Sequence, residues 1–179
     1  DSLDGTLAGL RVLPPGEGDT EDGFSEGNGH ALYQHLDEVE AVGAETLVVM
    51  SADHLCQLDL RAVVAQHERL GSDVTVVTTE IAEDPSRYGV IQTDGDRVTE
   101  YAYKPESPKG QVIATEALVF RVPALRAACD ALVGDGSDGA ELGDYGETIL
   151  PHMVENATVH AYRSGGYWRD VGTVDAYFQ

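Results

Sequence analysis

The run Thr46-Leu47-Val48-Val49-Met50 constrains this chain more than any other stretch. It is apolar and β-branched, shows no polar alternation, and stops at Ser51-Ala52-Asp53-His54. A strand apolar on both faces has to be covered on both, so the run predicts a buried, parallel strand in a layered α/β domain. The flanking periodicities agree. His30 to Val42 carries Leu32, Leu36 and Val39 at helical spacing. Asp59 can cap a helix whose inner face is Ala62, Val63, Gln66 and Leu70 and which Gly71 ends. Further strands are predicted over Asp73–Thr79, Tyr88–Thr93, Arg97–Tyr103, Val112–Val122 and Thr158–Arg163, with Asp94-Gly95-Asp96 as a hairpin turn. Pro123 opens a helix through Leu132, and Asp144 can cap another to Asn156, its interior strained by Pro151. Residues 1–28 read as loop with a short strand at Leu10 to Leu13, and Gly134 to Gly143 as a second loop. The expected product is one α/β domain with a mixed sheet.

Composition removes several function classes. With 32 acidic against 11 basic residues the formal charge is −21, which disfavours binding to a phosphate backbone and makes nucleic acid an unexpected partner. The excess suits solubility, including at high salt. No apolar run reaches the length of a membrane span, and Asp1-Ser2-Leu3-Asp4 begins no secretory signal; the first residue is not Met, so the expected true N-terminus lies upstream. Cys56 and Cys129 lack CxxC spacing and read as reduced thiols of a cytoplasmic protein. Lysine occurs only at Lys104 and Lys109.

Ligands of open α/β sheets bind beyond the carboxyl ends of the strands. Asp53 lies just past Met50, so it is either a metal-holding carboxylate or an ordinary loop or cap residue. Asp170 sits in Tyr167-Trp168-Arg169-Asp170-Val171-Gly172-Thr173, beside the only Trp and between glycines that permit tight turns.

Taken in order, Val49-Met50-Ser51-Ala52-Asp53-His54, Tyr103-Lys104-Pro105 and Trp168-Arg169-Asp170-Val171-Gly172-Thr173 resemble signatures of the bacterial ADP-glucose pyrophosphorylases, within the sugar-1-phosphate nucleotidyltransferases. Tyr88-Gly89-Val90 resembles the family's glycine turn beside the sugar, Asp144-Tyr145-Gly146 its Asp-Phe-Gly stretch, and Gly27-Asn28-Gly29-His30-Ala31 falls at its nucleotide loop. The resemblance covers the chain from about Val12 onward. It implies a Rossmann-like nucleotidyltransferase domain with a mixed, mainly parallel central sheet. It also implies transfer from ATP to glucose 1-phosphate, giving ADP-glucose and pyrophosphate. Asp53 and Asp170 would then act in catalysis and hold Mg2+. Lys104, Gly89, Tyr103 and Glu116 would contact the sugar phosphate, and Gly27 and Asn28 the nucleotide. These residue types suit that chemistry: a cation offsets phosphoryl charge, carboxylates hold the cation, and a lysine supplies a point charge.

Three positions depart from the family pattern. Asn28-Gly29-His30 stands for Thr-Ala-Asp, Tyr103 for the acidic residue before the lysine, and Ala114-Thr115-Glu116 for Ser-Met-Gly. Glu116 either takes a sugar hydroxyl or faces solvent from a strand. The open alternatives are another base or sugar, or a regulatory subunit that binds without turnover.

The resemblance further implies a homo-oligomeric protein. An N-terminal glycine-rich loop with its arginine and a C-terminal β-helix domain are expected beyond the given residues, so the catalytic domain is expected to be partial and truncated at its N-terminus. These 179 residues by themselves are therefore expected to release no pyrophosphate from ATP, glucose 1-phosphate and Mg2+. Turnover comparable to a longer form would overturn that expectation.

Overall fold

The computed structural model describes residues 26–172; the strand expected at Leu10 to Leu13 lies outside them. Eight strands and five helices follow in order. These are α1 Asn28–Gln34, α2 Leu36–Ala41, β1 Thr46–Met50, β2 His54–Cys56, α3 Leu60–Leu70, β3 Val74–Glu80, β4 Gly89–Asp94, β5 Arg97–Tyr103, β6 Val112–Arg121, α4 Val122–Leu132, α5 Ile149–Asn156, β7 Val159–Arg163 and β8 Trp168–Asp170. The chain is an α/β protein, and its described residues form a six-stranded sheet ordered β1-β6-β3-β7-β5-β4 and a separate ladder of β2 and β8.

The main sheet is mixed, as expected. β1, β3, β7 and β4 point one way and β6 and β5 the other, yet β3–β7 is the only parallel ladder among the described residues. β1 corrects the reading of its apolar run. It pairs antiparallel with β6, at the sheet's edge among the described residues, and Val48 and Met50 are exposed there. Apolarity encodes which faces a strand can bury; it does not encode the partner or the direction of the ladder.

Alternation along the central strands builds three layers. Val74 and Val76 of β3 and Leu118 and Phe120 of β6 face the larger core, with Leu125 and Cys129 of α4 and Ile149 and Met153 of α5. Val77, Ala117 and Val119 face the other way, onto Val63 of α3. α3 ends as its sequence predicts: Asp59 accepts from the Arg61 and Ala62 amides at 3.0 and 3.3 Å, and Gly71 closes it at φ 60°. His67, absent from the expected inner face, is buried there and bonds the Thr75 hydroxyl at 2.9 Å.

Two helical expectations are corrected. His30 to Val42 is two helices, α1 and α2, meeting at His35. Asp144 does not cap α5, which starts at Ile149. Pro151 thus falls in the first turn, where its missing N–H has no intrahelical acceptor to lose, so no strain arises.

Asp73 ties three strands together. Its carboxylate accepts from the Arg121 guanidinium and from the Thr158 amide at 2.8 Å, and its carbonyl accepts the Arg121 amide at 2.9 Å. Burial raises the carboxyl pKa, but the Arg121 and Thr158 bonds outweigh this and hold it below the ordinary value of 3.8. The stability it contributes is therefore present above that value and is lost as pH falls through the lower folded pKa. Asp73→Ala should cost about 2–4 kcal/mol, read as a lower urea midpoint at neutral pH, with a gap between variant and parent that narrows as pH falls below 3.8. A gap that does not shrink in acid would remove the charge from the explanation.

Candidate functional site

The cleft opens where one edge of β6 changes partner. β3 runs along one edge of β6 on both sides of a register shift. The other edge carries β1 from Ala117 to Arg121 and then a single bridge to β4, Val90 to Ile113. Thr115 and Glu116 lie in the break. The Thr115 hydroxyl donates to the Val77 carbonyl at 3.0 Å, across the shift in β3, and the Glu116 carbonyl accepts the Ser51 amide at 3.1 Å. A cavity of about 510 Å3 fills this position, lined by Asp53, Tyr88, Lys104, Glu116, Trp168 and Asp170 among others.

Asp53 and Asp170, distant in sequence, meet through the small ladder. β2 pairs antiparallel with β8 so that His54 lies opposite Asp170, and the Val171 amide donates to the Asp53 carbonyl at 2.9 Å. A Cβ placed on Gly172 would lie 3.0 Å from Asp170 Oδ1 and 3.3 Å from Asp53 Oδ2, so the two carboxylates converge over this glycine. The Gly172 amide donates to Asp170 Oδ1 at 2.7 Å, the Tyr88 hydroxyl to its Oδ2 at 3.4 Å, and the Ser51 hydroxyl to Asp53 Oδ1. Trp168 braces the ladder: its indole N–H donates to the Thr115 carbonyl at 3.3 Å and its ring meets Tyr88 edge-on at 5.6 Å. Burial holds the His54 imidazole below its ordinary pKa, against Asp53 and Asp170.

Lys104 follows β5 and also lines the cleft. Its amide donates to the Tyr88 carbonyl at 3.0 Å, and its ammonium lies 4.6 Å from the centre of the Tyr103 ring. Contact with the Tyr103 hydroxyl, aided by nearby Asp144 and Glu116, raises its pKa against a burial cost, so it stays cationic throughout the neutral range. Tyr103 donates to Asp144 at 2.7 Å. A smaller recess of about 60 Å3 adjoins the cleft, bordered by Asn28, Gly89, Tyr101, Tyr103, Lys104, Glu116 and Asp144 among others. Gly89 is required there, because a Cβ would meet the Tyr101 ring at 2.7 Å.

Glu116 reaches solvent through the cleft mouth yet is crowded by its walls. Burial and then Asp53 push its carboxyl upward, opposed by a Ser51 bond and by Lys104. Lys104 and Glu116, at φ 42° and 59°, are the only non-glycine residues with positive φ among the described residues. Backbone strain is thus confined to two residues of one cleft.

Seven of the eight residues singled out from the sequence therefore line this continuous cleft and recess: Asn28, Asp53, Gly89, Tyr103, Lys104, Glu116 and Asp170. Asn28 also has a structural bond there, its Oδ1 accepting the Tyr145 amide at 2.8 Å. Gly27 packs elsewhere, at φ 114° against the Gly143 backbone, where a Cβ would clash. Sequence reasoning missed Ser51, His54 and Arg87; the last follows a capped Asp84-Pro85-Ser86 turn, a local signal that was available.

The α/β domain thus gathers two carboxylates and a lysine in one cleft, at or beyond the ends of β1, β5 and β8. The sequence matches the Nucleotidyl transferase family over residues 12–179, and the chain belongs to that family. It is 30% identical over 173 residues to a glucose-1-phosphate adenylyltransferase of Desulfitobacterium hafniense (strain Y51), covering 95% of this chain and 43% of that protein. The chain thus spans less than half the length of that relative. Its fold is similar to the crystal structure of a putative glucose-1-phosphate thymidylyltransferase from Bacillus anthracis in complex with a sucrose. The TM-score is 0.68 at 21% identity, covering 85% of this chain and 58% of that one. No helix among the described residues is long and apolar enough to cross a membrane.

Glu116→Gly isolates the strain. Relief of a left-handed backbone at a non-glycine residue is worth roughly 1–2 kcal/mol, and glycine's extra unfolded-state freedom returns up to about 1 kcal/mol. The variant should be as stable as the parent or up to ~1 kcal/mol more so in urea titration. A loss above ~1 kcal/mol would mean that the bonds of the Glu116 side chain outweigh the strain.

Proposed function

We propose that the protein is a sugar-1-phosphate nucleotidyltransferase of the cytoplasm, joining ATP and glucose 1-phosphate to give ADP-glucose and pyrophosphate for glycogen or other α-glucan synthesis. The observation that carries the reading is the convergence of Asp53 and Asp170 over Gly172, in the same cleft as Lys104. Family membership supports the reaction class, and the adenylyltransferase relative supports the choice of ATP and glucose 1-phosphate.

In this reaction a phosphate oxygen of the sugar phosphate attacks the α-phosphorus of the triphosphate, the bond to the bridging oxygen breaks, and pyrophosphate leaves. The work of the protein is alignment and charge compensation. Lys104 neutralises part of the sugar's phosphate, and its backbone bond to Tyr88 fixes where that charge sits. The donor set suits Mg2+, a hard cation that takes one or two carboxylates: Asp53 and Asp170, which converge at Gly172, would hold it. When bound, Mg2+ offsets the negative charge of the phosphate groups. Trp168 and Tyr88 keep Asp170 from rotating away. Gly89 leaves the recess open for the sugar, beside Tyr103 and Glu116.

A second reading, a different sugar, is favoured by one feature. The Tyr103 hydroxyl occupies Asp144, and a carboxylate, Glu116, stands at the break where the family has glycine. The polar pattern offered to a sugar therefore differs from that of ordinary relatives.

Pyrophosphate release by the intact protein, measured over a panel of nucleoside triphosphates and sugar 1-phosphates, separates these readings. ATP with glucose 1-phosphate is expected to be the preferred pair. Preference for another sugar selects the second reading, and binding without turnover by any pair selects a regulatory role. Asp53→Asn and Asp170→Asn should each lower kcat by about a hundredfold or more, and Lys104→Gln should mainly raise the KM for sugar phosphate by about ten- to a hundredfold. Normal kinetics in any of the three would remove that residue from the mechanism.

A further inference from the structure

The cleft contains a second cation that the sequence reading did not single out. Arg87 and Lys104 are the only lysine or arginine among its lining residues, and both also border the smaller recess. We propose that Arg87 is a second phosphate-binding residue, and that Arg87 and Lys104 together grip the phosphate of the incoming sugar phosphate; this rests on the nucleotidyltransferase reading above.

Geometry supports the pairing. Arg87 immediately precedes Tyr88, and the Lys104 amide donates to the Tyr88 carbonyl at 3.0 Å, so both cations spring from one backbone junction between β4 and β5. The segment bearing Arg87 is a rigid 3-10 turn, Pro85–Arg87. Asp84 accepts from the Ser86 amide at 3.0 Å and its hydroxyl at 2.9 Å, Pro85 is buried, and the Tyr88 amide donates to the Pro85 carbonyl at 3.0 Å. The guanidinium itself is exposed to the cleft, and no ion pair involves it among the described residues. Arg121 and Arg126, by contrast, are bound to Asp73 and to Asp37 and Glu40.

Charge favours a second cation. A phosphate monoester carries roughly −1.5 to −2 near neutral pH. One lysine leaves about half of that uncompensated where Mg2+ on Asp53 and Asp170 would be engaged with the triphosphate, in a cleft that also holds Glu116 and in a chain of net charge −21. A lysine and an arginine together balance it. The planar guanidinium adds a two-point contact to phosphate oxygens that an ammonium cannot make.

The test uses Arg87→Gln and Arg87→Lys in the intact protein, beside Lys104→Gln. Because Arg87 is exposed, the variants should keep the parent's circular dichroism and thermal midpoint. Arg87→Gln should raise the KM for sugar 1-phosphate about tenfold or more while the triphosphate KM moves less than about twofold, and Arg87→Lys should recover part of the loss. A raised triphosphate KM with an unchanged sugar-phosphate KM would assign Arg87 to the nucleotide and overturn the proposal, as would no change in either. Titration with inorganic phosphate, followed by calorimetry, reads the same pair without turnover. Weaker binding in both Arg87→Gln and Lys104→Gln supports the clamp even if no nucleotide pair reacts, an outcome that sinks only the enzymatic reading. Phosphate binding unaltered by Arg87→Gln, or absent from the parent, refutes it.

Discussion

One edge of β6 is shared by two strands, and the rest of the site depends on that division. β3 occupies the opposite edge, so β1 and β4 must succeed each other along this one, and the residues between their contacts have no ladder partner there. Thr115 resolves the break by bonding across to β3 through its hydroxyl, and Glu116 by adopting a left-handed conformation. The break then collects three chain ends. β1 finishes against Glu116 and delivers Asp53; β4 begins just after Arg87 and Tyr88; β5 finishes at Tyr103 and delivers Lys104. The β2–β8 ladder closes the fourth side and brings Asp170 to Asp53, with Trp168 anchored on the Thr115 carbonyl, which belongs to the break itself. No single motif contains this arrangement. It follows from where neighbouring strands stop.

That origin explains what could be read from the residues and what could not. Most strand positions and α3 were legible because they rest on local signals: the Asp59 cap and Gly71 stop of α3, the Asp94-Gly95-Asp96 turn, and the valine-rich run of Asp73 to Thr79. Asp53, Lys104 and Asp170 were legible because each lies at a strand end beside a recognisable string. The edge position of β1 was not legible, since a run that can bury both faces looks the same wherever its backbone pairs. Nor was β2–β8: its strands, His54–Cys56 and Trp168–Asp170, are too short to show a period, and their pairing joins distant segments. Asp144 misled because an acidic residue ahead of a helical stretch fits a cap, whereas here its carboxylate is taken by Tyr103 from another strand. Gly27 was recognised by position in a loop pattern, but its backbone is fixed by close approach to Gly143, a steric demand that any function would share.

The site's chemistry and its strain have a common source. Carboxylates converge in a cleft only if something opposes their repulsion, and here hydroxyl and amide donors do part of it: Ser51 on Asp53, Tyr88 and the Gly172 amide on Asp170, Tyr103 on Asp144. Each uses a neutral donor, which orders the carboxylate without cancelling its charge, so the cleft stays ready for cations. Glu116 shows the cost of that arrangement, its carboxyl raised chiefly by burial and then by Asp53. Lys104 shows the converse, raised by the Tyr103 hydroxyl with help from Asp144 and Glu116. Both shifts are upward, disfavouring the charge on Glu116 and favouring it on Lys104, and these are also the two residues held at positive φ. A left-handed backbone is destabilising at a non-glycine residue, so a sequence optimised for stability alone would place glycine at both positions; here a lysine and a carboxylate are held in one cleft despite that cost.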